Sequence, residues 1–145
     1  MKVEGTAAAA RIVERAKRDR RGALVFTIGT GCCESTAPFL YEDFWPGPDQ
    51  EPVGAVAGVP VFAPEYLRAL YPADDGVVID VDEDVVAESM SIETEYTCRF
   101  VLRDRSGTKV AGQETEVCDA TSEVSALRSR GPQQLPEILQ RARMR

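Results

Sequence analysis

The stretch Gly29-Thr30-Gly31-Cys32-Cys33-Glu34-Ser35-Thr36-Ala37-Pro38 ends a strand and cannot continue it. The six residues before it, Ala23-Leu24-Val25-Phe26-Thr27-Ile28, have the composition and the length of a strand. Two glycines then free the backbone from the conformations that side chains impose, and the proline removes a ladder donor. The stretch also carries two adjacent thiols. It predicts a strand, an irregular connection, and then a short apolar run, Phe39-Leu40-Tyr41.

The elements on either side follow from spacing. Thr6 can cap a helix reaching about Arg18, with Ala9, Ile12, Val13 and Ala16 on one stripe and Arg11, Glu14, Arg15 and Arg18 largely outside it. Gly22 marks its end. Residues 43–52 contain Pro46, Gly47, Pro48 and Pro52 and read as loop. Phe44 and Trp45 open that loop, either pinning it to the core or forming an apolar lid over the cysteines. Residues 53–57 and 59–63 read as a hairpin around Gly58, and Pro60 argues against a central, fully bonded position. Pro64 opens a short helix at 65–70. Residues 76–81 read as a strand. So does the run 91–102, in which Ile92, Thr94, Tyr96, Cys98, Phe100 and Leu102 share one face and Glu93, Glu95 and Arg99 the other. After Asp104 the character changes. Ser106-Gly107 reads as a turn, residues 109–118 as a weak pairing back, 120–128 as helix, and Gly131-Pro132 as a break. Leu135, Ile138, Leu139 and Ala142 then define a last amphipathic helix ending in Arg141, Arg143 and Arg145. The expected organisation is a core domain, residues 1–104, and an extension, residues 105–145.

With 145 residues the chain can bury a real core. Its net charge of −7 argues against non-specific nucleic-acid binding, which depends on neutralising phosphates. The charge is uneven: Arg11, Arg15, Lys17, Arg18, Arg20 and Arg21 cluster near the start, while Asp80, Asp82, Glu83 and Asp84 cluster in the middle. The start lacks a secretory pattern and no window has the length of a membrane span, so a cytoplasmic protein with reduced thiols and no membrane contact is expected. There is no histidine. That removes Ser-His and Cys-His catalytic pairs and the commonest nitrogen ligand, leaving sulfur and oxygen to hold any metal.

Cys32 and Cys33 are the first candidates for chemistry. Their Cα atoms sit ~3.8 Å apart, below the usual span of an unstrained disulfide. On a regular strand their side chains would diverge, but Gly29 and Gly31 permit a backbone on which both sulfurs turn one way. Thiolates select zinc, copper(I), iron or iron–sulfur clusters. Two thiolates do not complete a tetrahedral site; the remainder would come from Glu34, Glu42 or Asp43, from Cys98, or from a second copy of the chain. Alternatively one thiol is buried as a small hydrophobe and the other lies in a turn. Cys98, on the apolar face of its run, reads first as core and second as a ligand. Gly29-Thr30-Gly31 is not followed by a phosphate-loop signature.

The order helix, strand, Gly31-Cys32-Cys33, Pro38, Gly58-Val59-Pro60-Val61-Phe62, Val78-Ile79-Asp80-Val81, Ser89-Met90-Ser91-Ile92-Glu93 and Arg99-Phe100 resembles the bacterial family of domain of unknown function 779, over about residues 5–103. Glu34 and Ser35 stand where that family usually has aspartate and glycine, and Leu40 where it usually has a further cysteine. More distantly the layout resembles the HesB/IscA-type iron–sulfur carriers, whose Cys-Gly-Cys tail this chain lacks. The resemblance implies an α+β fold: a β-rich HesB-like pseudo-barrel of mixed strands with an N-terminal helix, a short central helix and a helical C-terminal extension. The glycine-supported thiol pair on this carrier-like layout points to a small accessory protein, a homo-oligomer expected to be a dimer, holding iron, zinc or an iron–sulfur cluster on Cys32, Cys33 and Glu34, with Gly29, Gly31, Phe44 and Trp45 around the group. Its implied partner is an NAD-dependent aldehyde dehydrogenase. Two other readings stay open: a small enzyme or redox protein in which Cys32 or Cys33 attacks an aldehyde- or thioester-type electrophile, and a structural module without metal.

Overall fold

The computed structural model describes residues 1–29, 36–72, 75–86 and 89–110. They form one mixed sheet of seven strands with two helices. The strands are β1 (Lys2–Gly5), β2 (Leu24–Ile28), β3 (Pro38–Glu42), β4 (Glu51–Val56), β5 (Val59–Ala63), β6 (Gly76–Glu83) and β7 (Cys98–Arg103); the helices are α1 (Ala7–Asp19) and α2 (Glu65–Leu70). The sheet order is β3-β2-β5-β4-β1-β6-β7.

α1 starts where the sequence places it. The Ala9 N–H donates to the Thr6 hydroxyl oxygen at 3.2 Å, and that hydroxyl donates to Asp80 at 2.9 Å, tying the cap to β6. Ala9, Val13 and Ala16 are buried against Val3, Phe26, Val61, Ile79 and Phe100 of the sheet. Phe26 of β2 meets Phe100 of β7 edge-to-face at 4.9 Å, although four strands lie between β2 and β7 in the sheet. The sheet is therefore strongly curled, and its edge strands β3 and β7 face each other. Ile92–Tyr96, a 3₁₀ turn, fills the seam between them.

Three expectations need correction. The first strand, β1, is absent from the sequence reading, yet it runs parallel to both β4 and β6. Four residues with one buried side chain, Val3, leave too little periodicity to detect. Second, β5 is not an edge strand; it lies between β2 and β4. In its hairpin Val56 faces Val59 across the two-residue turn, so Ala55 and Pro60 form the non-bonded pair that follows, and pairing with β2 begins at Val61. Pro60 thus leaves the β4 ladder intact. Third, the long strand expected at 91–102 begins only at Cys98. The Thr94 hydroxyl and N–H both donate to Ser91 O, at 2.7 and 3.2 Å, and these local bonds hold the backbone in 3₁₀ geometry. Thr97, left-handed at φ 58°, ends the turn and launches β7. Glu93, expected on the outer face, is 1% exposed.

Beyond β7 the chain turns on Asp104, whose carboxylate accepts from Ser106 N–H and Thr108 N–H. It then pairs back, with the Val110 N–H donating to Leu102 O at 2.9 Å. The expected helical extension and Cys118 lie outside the described residues. No described helix is long and apolar enough to cross a membrane.

Candidate functional site

The connection carrying the thiol pair leaves the end of β2 and enters β3. Ile28 faces Pro38, and just beyond, the Gly29 N–H donates to Ala37 O at 3.1 Å. Gly29 has φ 74°, a conformation that disfavours any residue with a Cβ. On the other side of the stem the Thr36 hydroxyl donates to Val110 O at 3.2 Å, tying the loop to the segment that returns onto β7. Residues 30–35, which include Gly31, Cys32, Cys33, Glu34 and Ser35, lie outside the described residues.

A cavity of about 510 Å³ opens beside this stem, lined by Thr36, Ala37, Asp82, Arg99, Phe100 and Lys109, among others. Asp82 and Lys109 on its wall belong to a linked set of charges that extends beyond the cavity. Asp82 accepts from Lys109 and from Arg103 Nη2, the latter at 3.1 Å, while Arg103 Nε donates to Asp80 at 2.9 Å. Burial pushes the Asp80 carboxyl up, but the Val81 N–H, the Thr6 hydroxyl and Arg103 outweigh it and hold the group below its usual range.

Phe44 and Trp45 stand elsewhere. They line a second cavity of about 790 Å³ with Leu24, Pro48, Pro60 and Phe62, beyond the Leu24–Glu42 end of the β2–β3 hairpin. The thiol connection leaves the opposite end, so among the described residues the structure does not bring the two aromatics to the loop stem. Gln50 lines the second cavity and donates its amide to Ile28 O at 3.3 Å. Phe44 packs on Tyr41 at 4.6 Å, as a loop pin would. Trp45 does not: it is 90% exposed, which corrects the expectation that it anchors the loop. As the one tryptophan in the chain it is a clean reporter. Trp45→Ala should shift stability by less than about 0.5 kcal/mol in urea unfolding, as expected of an exposed side chain. In the wild type, acrylamide should quench nearly all tryptophan emission before unfolding.

Sequence reasoning missed a buried polar cluster in the seam. The Ser91 Oγ accepts the Leu40 N–H at 2.8 Å, lies 3.5 Å from Leu40 O, and bonds the Glu93 carboxyl. The other Glu93 oxygen accepts the Phe100 N–H at 3.4 Å. One side chain pair therefore bonds backbone groups of Leu40 on β3 and of Phe100 on β7. Burial drives the Glu93 carboxyl above its ordinary value, only partly offset by Ser91, by backbone N–H groups and by Arg99. Cys98 is 3% exposed, and its thiol donates to Glu93 O at 3.3 Å. Burial, and then the charges of Glu93 and Glu83, push that thiol up to about 11, so it is protonated near neutrality. A protonated thiol engaged as a donor is a poor metal ligand. Among the described residues no three Cys, Asp or Glu side chains converge as a metal site.

The family described as "Domain of unknown function (DUF779)" matches residues 12–106. No curated protein matches the chain. Among solved structures, one titled "Crystal Structure of IscA with the [2Fe-2S] cluster" is similar at 19% identity and a TM-score of 0.41, over 76% of this chain and 91% of that one.

Proposed function

The chain belongs to the DUF779 family, and we propose that it is an accessory protein that holds a soft metal ion or an iron–sulfur species on Cys32 and Cys33, with Glu34 beside them. The observation that carries this reading is the stem. Gly29 at φ 74° and its bond to Ala37 form the stem of the connection between β2 and β3, a cavity of about 510 Å³ lies beside that stem, and the sequence of the connection contains both thiols. Without histidine, thiolate is the strong ligand this chain can offer, and thiolate suits soft metals.

The donor set also bears on stoichiometry. Cys98 is committed to its own hydrogen bond. Two thiolates fill half of a tetrahedral site, and we assign the completion of the site to a second copy of the chain. Bound there, the group would serve as cargo or electron carrier for a recipient, which the family resemblance names as an NAD-dependent aldehyde dehydrogenase.

Anaerobic expression followed by iron, zinc, copper and sulfide analysis tests the reading. Wild type should carry one metal ion or one cluster per two chains and elute as a dimer. Cys32→Ser and Cys33→Ser should each lose at least tenfold of the metal while keeping the wild-type unfolding midpoint. Equal, near-zero metal in all three proteins rejects it.

A further inference from the structure

We propose that Ser91 and Glu93 form a protonation-controlled latch across the seam between β3 and β7, closed when the Glu93 carboxyl carries its proton and loosened when the proton leaves.

Counting protons carries the argument. The Ser91 hydroxyl has one proton and faces three groups: the Leu40 N–H, the Leu40 carbonyl and the Glu93 carboxyl. If Glu93 is protonated, its O–H donates to Ser91 Oγ. Ser91 accepts from Glu93 and from the Leu40 N–H, and its own proton goes to Leu40 O. Every donor then has an acceptor, and the edge of β3 is closed at both of its polar groups. If Glu93 is ionised, two acceptors compete for the single serine proton. The carboxylate takes it, and Leu40 O is left without its donor in a buried seam. The second carboxyl oxygen accepts the Phe100 N–H in either state, so the change falls on the β3 side.

The charges around the carboxyl do not supply a substitute. From β7, Arg99 is the cation acting on Glu93, and the neighbouring Cys98 thiol is neutral near pH 7. Glu83, at the end of β6, and Arg15, on α1, act on that thiol. Within the turn itself Glu95 is held by Arg20, and the Tyr96 hydroxyl donates to Asp19 of α1. β3 presents Leu40, which has no charge to offer. The seam lies next to the cavity at the loop stem, where Phe100 forms part of the wall. Loosening it changes access to that cavity.

Amide hydrogen exchange on the full chain, expressed as protection factors to remove the intrinsic pH dependence of exchange, reads the latch through the opening of the β3 edge, because the Leu40 N–H keeps its acceptor on Ser91 in both states and exchanges only when that edge loosens. Protection at Leu40 should fall with rising pH in the wild type, by up to about tenfold per pH unit for one proton. In Glu93→Gln, whose amide donates to Ser91 at every pH, it should stay flat. Parallel pH profiles in the two proteins would overturn the latch. Should the variant not fold, the carboxyl carbon shift of Glu93 in the wild type decides. A titration above the ordinary carboxylate range that tracks Leu40 protection supports the latch, and one at the ordinary value sinks it.

Discussion

Gly54→Ala should destabilise the protein by about 3 kcal/mol, because the added carbon overlaps the main chain of a neighbouring strand and only a backbone shift can relieve it. Gly54 of β4 faces Val3 of β1. A Cβ built there would sit 2.0 Å from Val3 O and 2.9 Å from Val3 C, both main-chain atoms, so no rotamer change can relieve the overlap. β1 would have to shift, and it cannot shift alone. On its other side all four of its residues pair with Gly76 to Ile79 of β6, and the Val3 side chain is buried in the core. Losing β1 would split the sheet between β4 and β6. Gly47→Ala is the matched control: its added carbon would meet the movable carboxylate of Asp49 at 3.3 Å. Urea unfolding of the two variants should give a large loss for Gly54→Ala and a change within about 0.5 kcal/mol for Gly47→Ala. Equal midpoints would mean that β1 does not dock on β4 in solution.

β1 also shows where sequence reasoning stops. The elements with strong local signals were legible. The Thr6 cap, the stripe of α1, the apolar runs of β2 and β3, the hairpin around Gly58 and the acidic-tipped β6 each encode their state within a few residues. What local pattern does not encode is neighbour identity. Nothing in Lys2-Val3-Glu4-Gly5 says that two other strands leave a slot for it, and nothing near Pro60 says that β5 will have partners on both sides. The run 91–102 fails for a different reason. Alternation at Ile92, Thr94 and Tyr96 is compatible with a strand, but Ser91 and Thr94 offer the backbone local bonds that win over the ladder. Strand alternation puts Glu93 on the outer face, but its two partners come from β7 and from a residue two positions away. The candidate site divides along the same line. That the thiols sit on the β2–β3 connection follows from the residues on either side. Which donors join them depends on tertiary placement, and Cys32, Cys33 and Glu34 fall outside the described residues. Leu40, where the resembling family carries a further cysteine, is instead a fully buried edge residue held through its backbone by Ser91.

Glu93→Ala is expected to cost about 4 kcal/mol at pH 5, more than any surface change in this chain. Two terms add. Truncation leaves the Phe100 N–H without its acceptor in a dry seam, about 1–3 kcal/mol for the orphaned group, while Ser91 keeps its bonds to Leu40. It also empties a fully buried site beside Ile92 and Phe100, which the surrounding backbone can only partly refill. Glu93→Gln keeps the volume and both bonds, so it should lose less than about 1 kcal/mol at pH 5. The pH dependence separates a buried acid from mere packing. Burial holds the Glu93 carboxyl above its ordinary value of 4.5, so its contribution is fully present below that value and is lost as pH rises through the folded-state value. Asp80 has the opposite sign: its carboxyl is held below the ordinary value, so its contribution is lost on acidification instead. Wild type should therefore weaken relative to Glu93→Gln as pH rises from 5 to 8, approaching about 1.4 kcal/mol per pH unit within the titration window. The Glu93→Ala deficit should shrink over the same range, because the wild type it is compared with then carries an ionised group in an apolar seam. Unfolding curves of the three proteins at pH 5, 6.5 and 8 measure both trends. A Glu93→Gln difference that does not change with pH would show that Glu93 is not titrating in the fold.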